Sequence, residues 1–131
     1  MKIAVVEDES SIRNGLAKII KKLDPEYELV GTAGNGLEGL HLVQNTEPDL
    51  VIMDIQMPVM DGRTASRAIR AMNRPDAKTI PIFALSADAF VEDQRLSAES
   101  GMNGHFSKPI DFEKMKKEIG KILIKGKRVG A

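Results

Sequence analysis

Leu50-Val51-Ile52-Met53-Asp54 is a run of four apolar residues that ends abruptly on an acid. A short continuous apolar run is typical of a strand that is buried on both faces of a parallel sheet. Runs of the same kind occupy residues 3–6 and 80–85. Residues 27–33 and 104–107 are weaker strand candidates. The chain therefore predicts five strands, of which the central ones are fully buried.

Amphipathic helical patterns separate and follow these strands, because apolar residues recur there every three or four positions. The patterns predict helices over residues 12–23, from 37 to near 47, and over 64–72, 89–100 and 112–122. Strands and helices that alternate five times imply an α/β fold, a doubly wound parallel sheet. Right-handed crossovers favour the flavodoxin-like (βα)5 arrangement with strand order 2-1-3-4-5.

Length and composition restrict the class of protein further. The 131 residues fit one domain, predicted over residues 1–124 and followed by a short basic tail at 125–131. The chain has no cysteine, which excludes a disulfide framework and a thiolate metal site. No apolar run approaches the ~18 residues of a membrane span, and no signal peptide is evident. We therefore expect a cytoplasmic protein without a membrane segment.

The net charge of zero hides an asymmetry. Residues 1–60 hold 5 basic and 10 acidic residues, and residues 61–131 hold 14 and 9. The balance argues against a basic surface that binds nucleic acid directly. The acidic excess of the first half, however, raises the question whether some of these acids converge on one site.

Polar side chains follow four of the five predicted strands. In this fold, ligands bind beyond the carboxyl ends of the strands, which meet at one edge of the sheet. The residues at those ends are Glu7, Asp8 and Glu9, then Asp54, then Ser86 and Ala87, and finally Lys108 and Pro109. Taken singly, each has an ordinary structural explanation as a turn, cap or surface residue. Their joint placement predicts a site.

The chemistry of that site follows from its donor atoms. Clustered carboxylates raise one another's pKa unless a cation compensates them. Oxygen ligands favour Mg²⁺, which keeps waters and open positions for a phosphate oxygen. A metal ion, a lysine and a hydroxyl together stabilise a phosphoryl group in transfer. Asp54 can then act as the nucleophile and form an aspartyl phosphate.

Five motifs together carry a family resemblance. They are Glu7-Asp8, Asp54 with Met57-Pro58, Met60-Asp61-Gly62, Ser86-Ala87 and Lys108-Pro109. In this order and spacing they resemble the receiver domain of two-component response regulators over residues 2–124. Single motifs of this set are weak, and their combination is specific.

The resemblance implies a role for each site residue. Asp54 would accept phosphate from a phosphohistidine on a histidine kinase or a histidine phosphotransfer protein. Asp8 would hold Mg²⁺ (or Mn²⁺) directly and Glu7 through water, with Asp54 and the backbone carbonyl of Gln56 as further ligands. Lys108 would pair with Asp54 at rest and with the phosphoryl group afterwards.

The resemblance also implies a conformational switch beside the phosphoacceptor. Ser86 would move to the phosphoryl group, Ala87 would leave space and an amide for it, and Pro109 would aim Lys108 through a cis bond. His105 stands where the family usually has tyrosine or phenylalanine, so it is the expected but atypical switch residue. Asp88 would influence the water that hydrolyses the phosphate. The face built from residues 89–100, 104–107 and the last helix would contact an output domain or a second copy.

Three alternatives differ from this interpretation. A haloacid-dehalogenase-type phosphatase needs a second aspartate two residues after the nucleophile, where this chain has Gln56. A flavin-binding protein of the same fold needs a phosphate loop rich in glycine and hydroxyls, where this chain has acids at 7–9. A degenerate receiver that is used only for docking is the third alternative, but here the acidic, hydroxyl and lysine positions are all filled. We therefore expect a receiver that catalyses only its own phosphorylation and dephosphorylation, without being an enzyme for an external substrate.

Overall fold

The computed structural model describes residues 1–23, 26–86, 91–108, 110–111 and 113–121, and it leaves the side chains of 91–93 undescribed. Strands and helices alternate along the chain as the sequence predicts. The strands are β1 Lys2–Val6, β2 Glu28–Ala33, β3 Leu50–Asp54, β4 Ile82–Ser86 and β5 Gly104–Ser107. The helices are α1 Ser10–Leu23, α2 Gly36–Thr46, α3 Gly62–Arg70, α4 Val91–Glu99, and α5 over residues 113–121.

The five strands form one parallel sheet in the order β2-β1-β3-β4-β5, which confirms the predicted flavodoxin-like topology. Every residue of β3 and β4 is buried. In the register of the sheet, Val6 of β1 lies beside Met53 of β3, and Asp54 lies beside Leu85 of β4. The carboxyl ends of the three central strands therefore meet at one edge.

Helices cover both faces of the sheet, which explains why its strands are continuous apolar runs. Val51 and Met53 of β3 belong to the core that includes Ile69 of α3. The intervening Ile52 belongs to the opposite core, which includes Leu16 of α1 and Met115 of α5. Because successive side chains of a strand alternate between faces, one strand supplies both cores.

The apolar pattern Leu37, Leu40 and Val43, which predicts α2, describes the buried face of this helix only in part. Leu37 is 39% exposed, whereas Gly36 and Gly39 are buried along with Val43. A Cβ on Gly39 would lie 2.8 Å from the Val6 side chain, so the helix approaches β1 through its glycines. Hydrophobic periodicity does not reveal a contact that is made by the absence of a side chain.

The third helix begins earlier than predicted, at Gly62, because Asp61 caps it by accepting a hydrogen bond from Thr64 N at 2.8 Å. Ser66 is fully buried on this helix although the apolar pattern did not select it. Its hydroxyl donates to the backbone carbonyl of Ser100 at 2.8 Å, which removes the cost of burying it.

Several predictions fall outside the described residues. These concern Ala87, Asp88, Pro109, the last-helix residues Phe112 and Ile122, and the tail at 125–131. Among the helices that the structure describes, none is both long and apolar enough to cross a bilayer.

Candidate functional site

The phosphoacceptor candidate Asp54 is the last residue of β3 and is only 4% exposed. Both of its carboxylate oxygens have partners. The backbone N–H of Gln56 donates to Oδ1 at 3.0 Å, and Lys108 Nζ donates to Oδ2 at 3.0 Å. The carboxylate is therefore held in one orientation at the edge where the central strands end.

Lys108 reaches this carboxylate from 54 residues further along the chain. Its backbone N–H donates to the carbonyl of Ser86 at 2.8 Å, which fixes the residue just beyond β5. Its Nζ bridges Asp54 Oδ2 and Glu7 Oε1, the latter at 3.2 Å. Burial alone would lower the pKa of Lys108, but its hydrogen bonds and attraction to Asp54 and Glu7 raise that pKa on balance. Lys108 is therefore a stable cation at the centre of the site.

Glu7 lies immediately after β1 and is completely buried. Its backbone is fixed on both sides, because its N–H donates to the Ala33 carbonyl at 2.9 Å and its own carbonyl accepts from Arg13 Nη1 at 2.9 Å. Burial raises the pKa of Glu7 most, and Asp54 raises it further, while Lys108 opposes the rise, so that its pKa is about 7. A group with this pKa is poorly compensated by its protein neighbours.

Three carboxylates converge here as the sequence predicts. Oxygen atoms of Glu7, Asp8 and Asp54 lie within 4.8 Å of one another. Asp8 is exposed, so the cluster opens to solvent on its side. Glu7 Oε2 is a buried oxygen without a hydrogen-bond partner among the described residues. Hard oxygen donors with one uncompensated atom, open to water on one side, fit a small divalent cation that retains waters.

The two predicted switch residues occupy neighbouring strands. Ser86 ends β4, is 5% exposed and pairs in register with Ser107 of β5. His105 is half-buried, and its Nε2 lies 3.3 Å from Gln94 Nε2 of α4. The next residue, Phe106, is buried on the opposite face of the sheet, where its ring lies 5.3 Å from that of Phe83. His105 is therefore a β5 side chain on the face opposite Phe106, in contact with α4 through Gln94.

The loop after Asp54 is attached closely to the strand that carries it. Gly62 N donates to the Ile55 carbonyl at 3.3 Å, and a Cβ on Gly62 would lie 2.1 Å from the Asp54 carbonyl oxygen. Gly36 N donates to the Met60 carbonyl at 2.9 Å, and a Cβ there would also lie 2.1 Å from that oxygen. Only glycine permits either approach.

Sequence reasoning missed two residues that support the site, Arg13 and Gly36. Arg13 is one of several basic residues of α1 and carries no motif. The Asn35-Gly36 pair was a detectable signal, since Asn35 caps α2 by accepting from Glu38 N at 2.9 Å. The contact of Gly36 with the loop after Asp54 joins residues that are far apart in sequence, and no local pattern predicts it.

Comparison with known proteins gives a consistent result. The family model described as "Response regulator receiver domain" matches residues 3–120. Hybrid signal transduction histidine kinase G of Dictyostelium discoideum is 37% identical over 121 residues, which are 92% of this chain and only 4% of that protein.

Two solved structures are similar in fold and sequence. The chemotaxis protein CheY4 of Vibrio cholerae has a TM-score of 0.82 and 29% identity, over 92% of this chain and 97% of that one. The receiver domain of sensor histidine kinase PA1611 of Pseudomonas aeruginosa PAO1 has a TM-score of 0.80 and 26% identity, over 92% and 94%. The latter structure has a magnesium ion coordinated in its active-site cleft.

Proposed function

The chain belongs to the response regulator receiver family, and from this premise we propose that it is the phosphoacceptor of a two-component phosphorelay. Asp54 is the acceptor. The partner that donates the phosphoryl group is a histidine kinase or a histidine phosphotransfer protein. The observation that carries this proposal is the Asp54 carboxylate, buried at the sheet edge, hydrogen-bonded to Lys108 and clustered with Glu7 and Asp8.

The transfer exchanges one bond to phosphorus for another. A carboxylate oxygen of Asp54 attacks the phosphorus of the phosphohistidine, the P–N bond breaks, and the imidazole leaves with its electron pair and takes up a proton. Lys108 holds Asp54 in position for attack and offers its charge to the phosphoryl oxygens. The N–H of Gln56 orients the same carboxylate from the other side.

Glu7, Asp8, Asp54 and the Gln56 carbonyl are the proposed ligands of Mg²⁺ or Mn²⁺. A bound divalent cation would neutralise charge on the phosphoryl oxygens during transfer. PA1611, a relative with this fold, holds magnesium in its active-site cleft. Glu7 Oε2, which has no hydrogen-bond partner in the part of the chain that the structure describes, supports a cation at this position.

The proposed consequence of phosphorylation is a rearrangement near β4 and β5. The phosphoryl group adds negative charge at a nearly buried position. Ser86 then donates a hydrogen bond to it, with the amide of Ala87 as a second donor, and His105 moves into the vacated space. The contact of His105 with Gln94 connects this movement to α4. Ser86→Ala is expected to remove the change in the His105 ring resonance that phosphorylation produces in the wild type.

Further proposals concern the protein as a whole. The receiver spans residues 1–124, with 125–131 as a basic tail, and acts in the cytoplasm without contacting nucleic acid or membrane itself. It turns over only its own phosphate, with Asp88 near the attacking water and Pro109 aiming Lys108. The face formed by α4, β5 and α5 contacts an output domain or a second copy.

The test is phosphorylation by acetyl phosphate with Mg²⁺, followed by intact mass. We expect the wild type to gain one phosphate, Asp54→Asn to gain none, and EDTA to prevent the gain. Asp49→Asn is the matched control, because Asp49 is an exposed aspartate at the other end of β3, where it accepts a hydrogen bond from Lys2 N. Labelling of Asp54→Asn to the wild-type extent would refute the proposal.

A further inference from the structure

Four consecutive apolar residues, Met57, Pro58, Val59 and Met60, form most of the loop between Asp54 and α3, and we call them the 57–60 rim. Met57 and Met60 are half-buried and pack against the core between α2 and α3. Pro58 and Val59 are exposed, and Val59 presents 77% of its surface to solvent. The exposed pair, flanked by two half-buried methionines, gives this loop an apolar outer surface.

The backbone at Val59 makes the choice of valine still less favourable. Its φ is +68°, in the left-handed region that β-branched residues rarely adopt. Met60 N donates to the Pro58 carbonyl at 2.7 Å, which closes a tight three-residue turn around Val59. Glycine would adopt this conformation without strain. The backbone at Val59 is therefore strained, and strain of this kind concentrates at functional sites.

The 57–60 rim is also held rigidly beside the acceptor. Gln56, just before it, donates its N–H to Asp54 Oδ1, and Gly62, just after it, donates its N–H to the Ile55 carbonyl. Gly36 of α2 holds the Met60 carbonyl from the side. A surface fixed before binding loses little conformational entropy when a partner covers it.

We propose that the 57–60 rim is an apolar docking contact for the protein that carries the phosphohistidine, with Val59 inserted among apolar residues beside that histidine. This inference rests on the proposed function. Because Asp54 is only 4% exposed, a protein donor brings its phosphorus within bonding distance only by laying its surface on the surrounding loops. The rim carries no charge, so the complementary surface is apolar. Acetyl phosphate is small enough to reach Asp54 without covering Val59.

The experiment compares these two kinds of donor on Val59 variants. The protein donor is whichever purified histidine kinase or phosphotransfer protein of the source organism labels the wild type fastest. Its loss of phosphate is followed at increasing concentrations of the receiver, which yields an apparent KM and a maximal rate. Val59→Gly removes the apolar group and the strain, Val59→Asn tolerates the turn but is polar, and Val59→Ile keeps the apolar group.

We expect Val59→Gly and Val59→Asn to raise the KM about tenfold, the size expected for losing one buried valine side chain. Their maximal rates and their labelling by acetyl phosphate should stay within about twofold of the wild type. Val59→Ile should leave the KM, the maximal rate and the labelling by acetyl phosphate unchanged. Val59→Gly should also melt at a higher temperature, because the strain is relieved. This combination separates docking from a structural role.

Four outcomes would overturn the docking proposal. The first is an unchanged KM in Val59→Gly. The second is labelling by acetyl phosphate that slows in the Val59 variants by the same factor by which their KM rises. The third is that no phosphohistidine protein labels a wild type that acetyl phosphate does label. The fourth is loss of a wild-type dimer in Val59→Gly on sedimentation, which would make the rim a contact between copies. Failure of acetyl phosphate on the wild type would instead refute the proposed function.

Discussion

Replacing Glu7 by glutamine should stabilise the metal-free protein, although it alters a completely buried residue of the site. Glu7 is buried beside Asp54, and Lys108 is shared between the two carboxylates. The substitution keeps the shape of the side chain and removes one negative charge. The glutamine amide can donate to Asp54 as a protonated Glu7 would, so no new unpaired group is created.

The magnitude follows from the pKa of Glu7. Its rise from the ordinary 4.5 to about 7 means that ionised Glu7 disfavours folding by about 3 kcal/mol, at about 1.4 kcal/mol for each pKa unit. Glutamine also weakens the hydrogen bond from Lys108, so we expect a net gain of about 1–2 kcal/mol. For a domain of this size, that gain raises the Tm by roughly 3–8 °C.

The gain in stability of Glu7→Gln over the wild type should be present at high pH and disappear at low pH. A folded-state pKa above the unfolded value means that the folded state holds the extra proton between pH 4.5 and about 7. The stability contributed by this proton is complete below pH 4.5 and is lost as the pH rises through about 7. Glu7→Gln should therefore be more stable than the wild type at pH 8 and nearly equal to it at pH 4.5.

Urea denaturation in EDTA at pH 8 and at pH 4.5 measures both differences. Glu9→Gln is the matched control, since Glu9 is exposed two residues away and its replacement alters the net charge equally. We expect Glu9→Gln to change stability by less than about 0.5 kcal/mol at either pH. A gain that is equal at both pH values, or shared by Glu9→Gln, would refute the assignment of the destabilisation to the buried, ionised Glu7.

Two further predictions concern the support of the site. Lys108→Met leaves two buried carboxylates without their cation, so the metal-free stability at pH 8 should fall by about 2–3 kcal/mol, and saturating Mg²⁺ should recover much of this loss. The control Lys121→Met, which replaces an exposed lysine, should have little effect on stability. An equal loss of stability in both variants would contradict the pairing of Lys108 with the two carboxylates. Gly36→Ala should destabilise by about 2–3 kcal/mol, because its Cβ would lie 2.1 Å from a backbone oxygen. A Cβ on Gly15 would have no neighbour within 4 Å among the described residues, so Gly15→Ala should stabilise α1 by up to about 1 kcal/mol. Urea midpoints measure both glycine variants.

The fold was predictable because the sheet is buried on both faces. Runs such as 50–54 then become continuous apolar segments whose ends are marked by polar residues, and parallel strands bring those ends together. This placed Asp54, Glu7 and Lys108 at one edge from sequence alone, and the structure joins them by hydrogen bonds of 3.0 and 3.2 Å.

What the sequence could not predict is how each acid is solvated. Glu7 and Asp8 are adjacent and chemically alike, yet Glu7 is completely buried and Asp8 is exposed. That difference depends on which of two successive side chains points into the sheet edge, and on Arg13 and the Ala33 carbonyl, which fix the Glu7 backbone. Similarly, the positive φ of Val59 arises from contacts around its loop, since valine by itself disfavours that conformation.

The compensation of the two buried carboxylates depends on β5, the strand at the side of the sheet, because β5 positions Lys108. Lys108 is separated by 101 residues from Glu7, and it is positioned by a hydrogen bond that extends β5, a strand of four residues that ends the sheet. If β5 moves away from β4, two buried carboxylates lose their shared cation. In the proposed function, a phosphoryl group on Asp54 would attract the same amine. In the proposed function, one ammonium group therefore links the position of β5 to the charge at Asp54, and His105 lies on the same short strand.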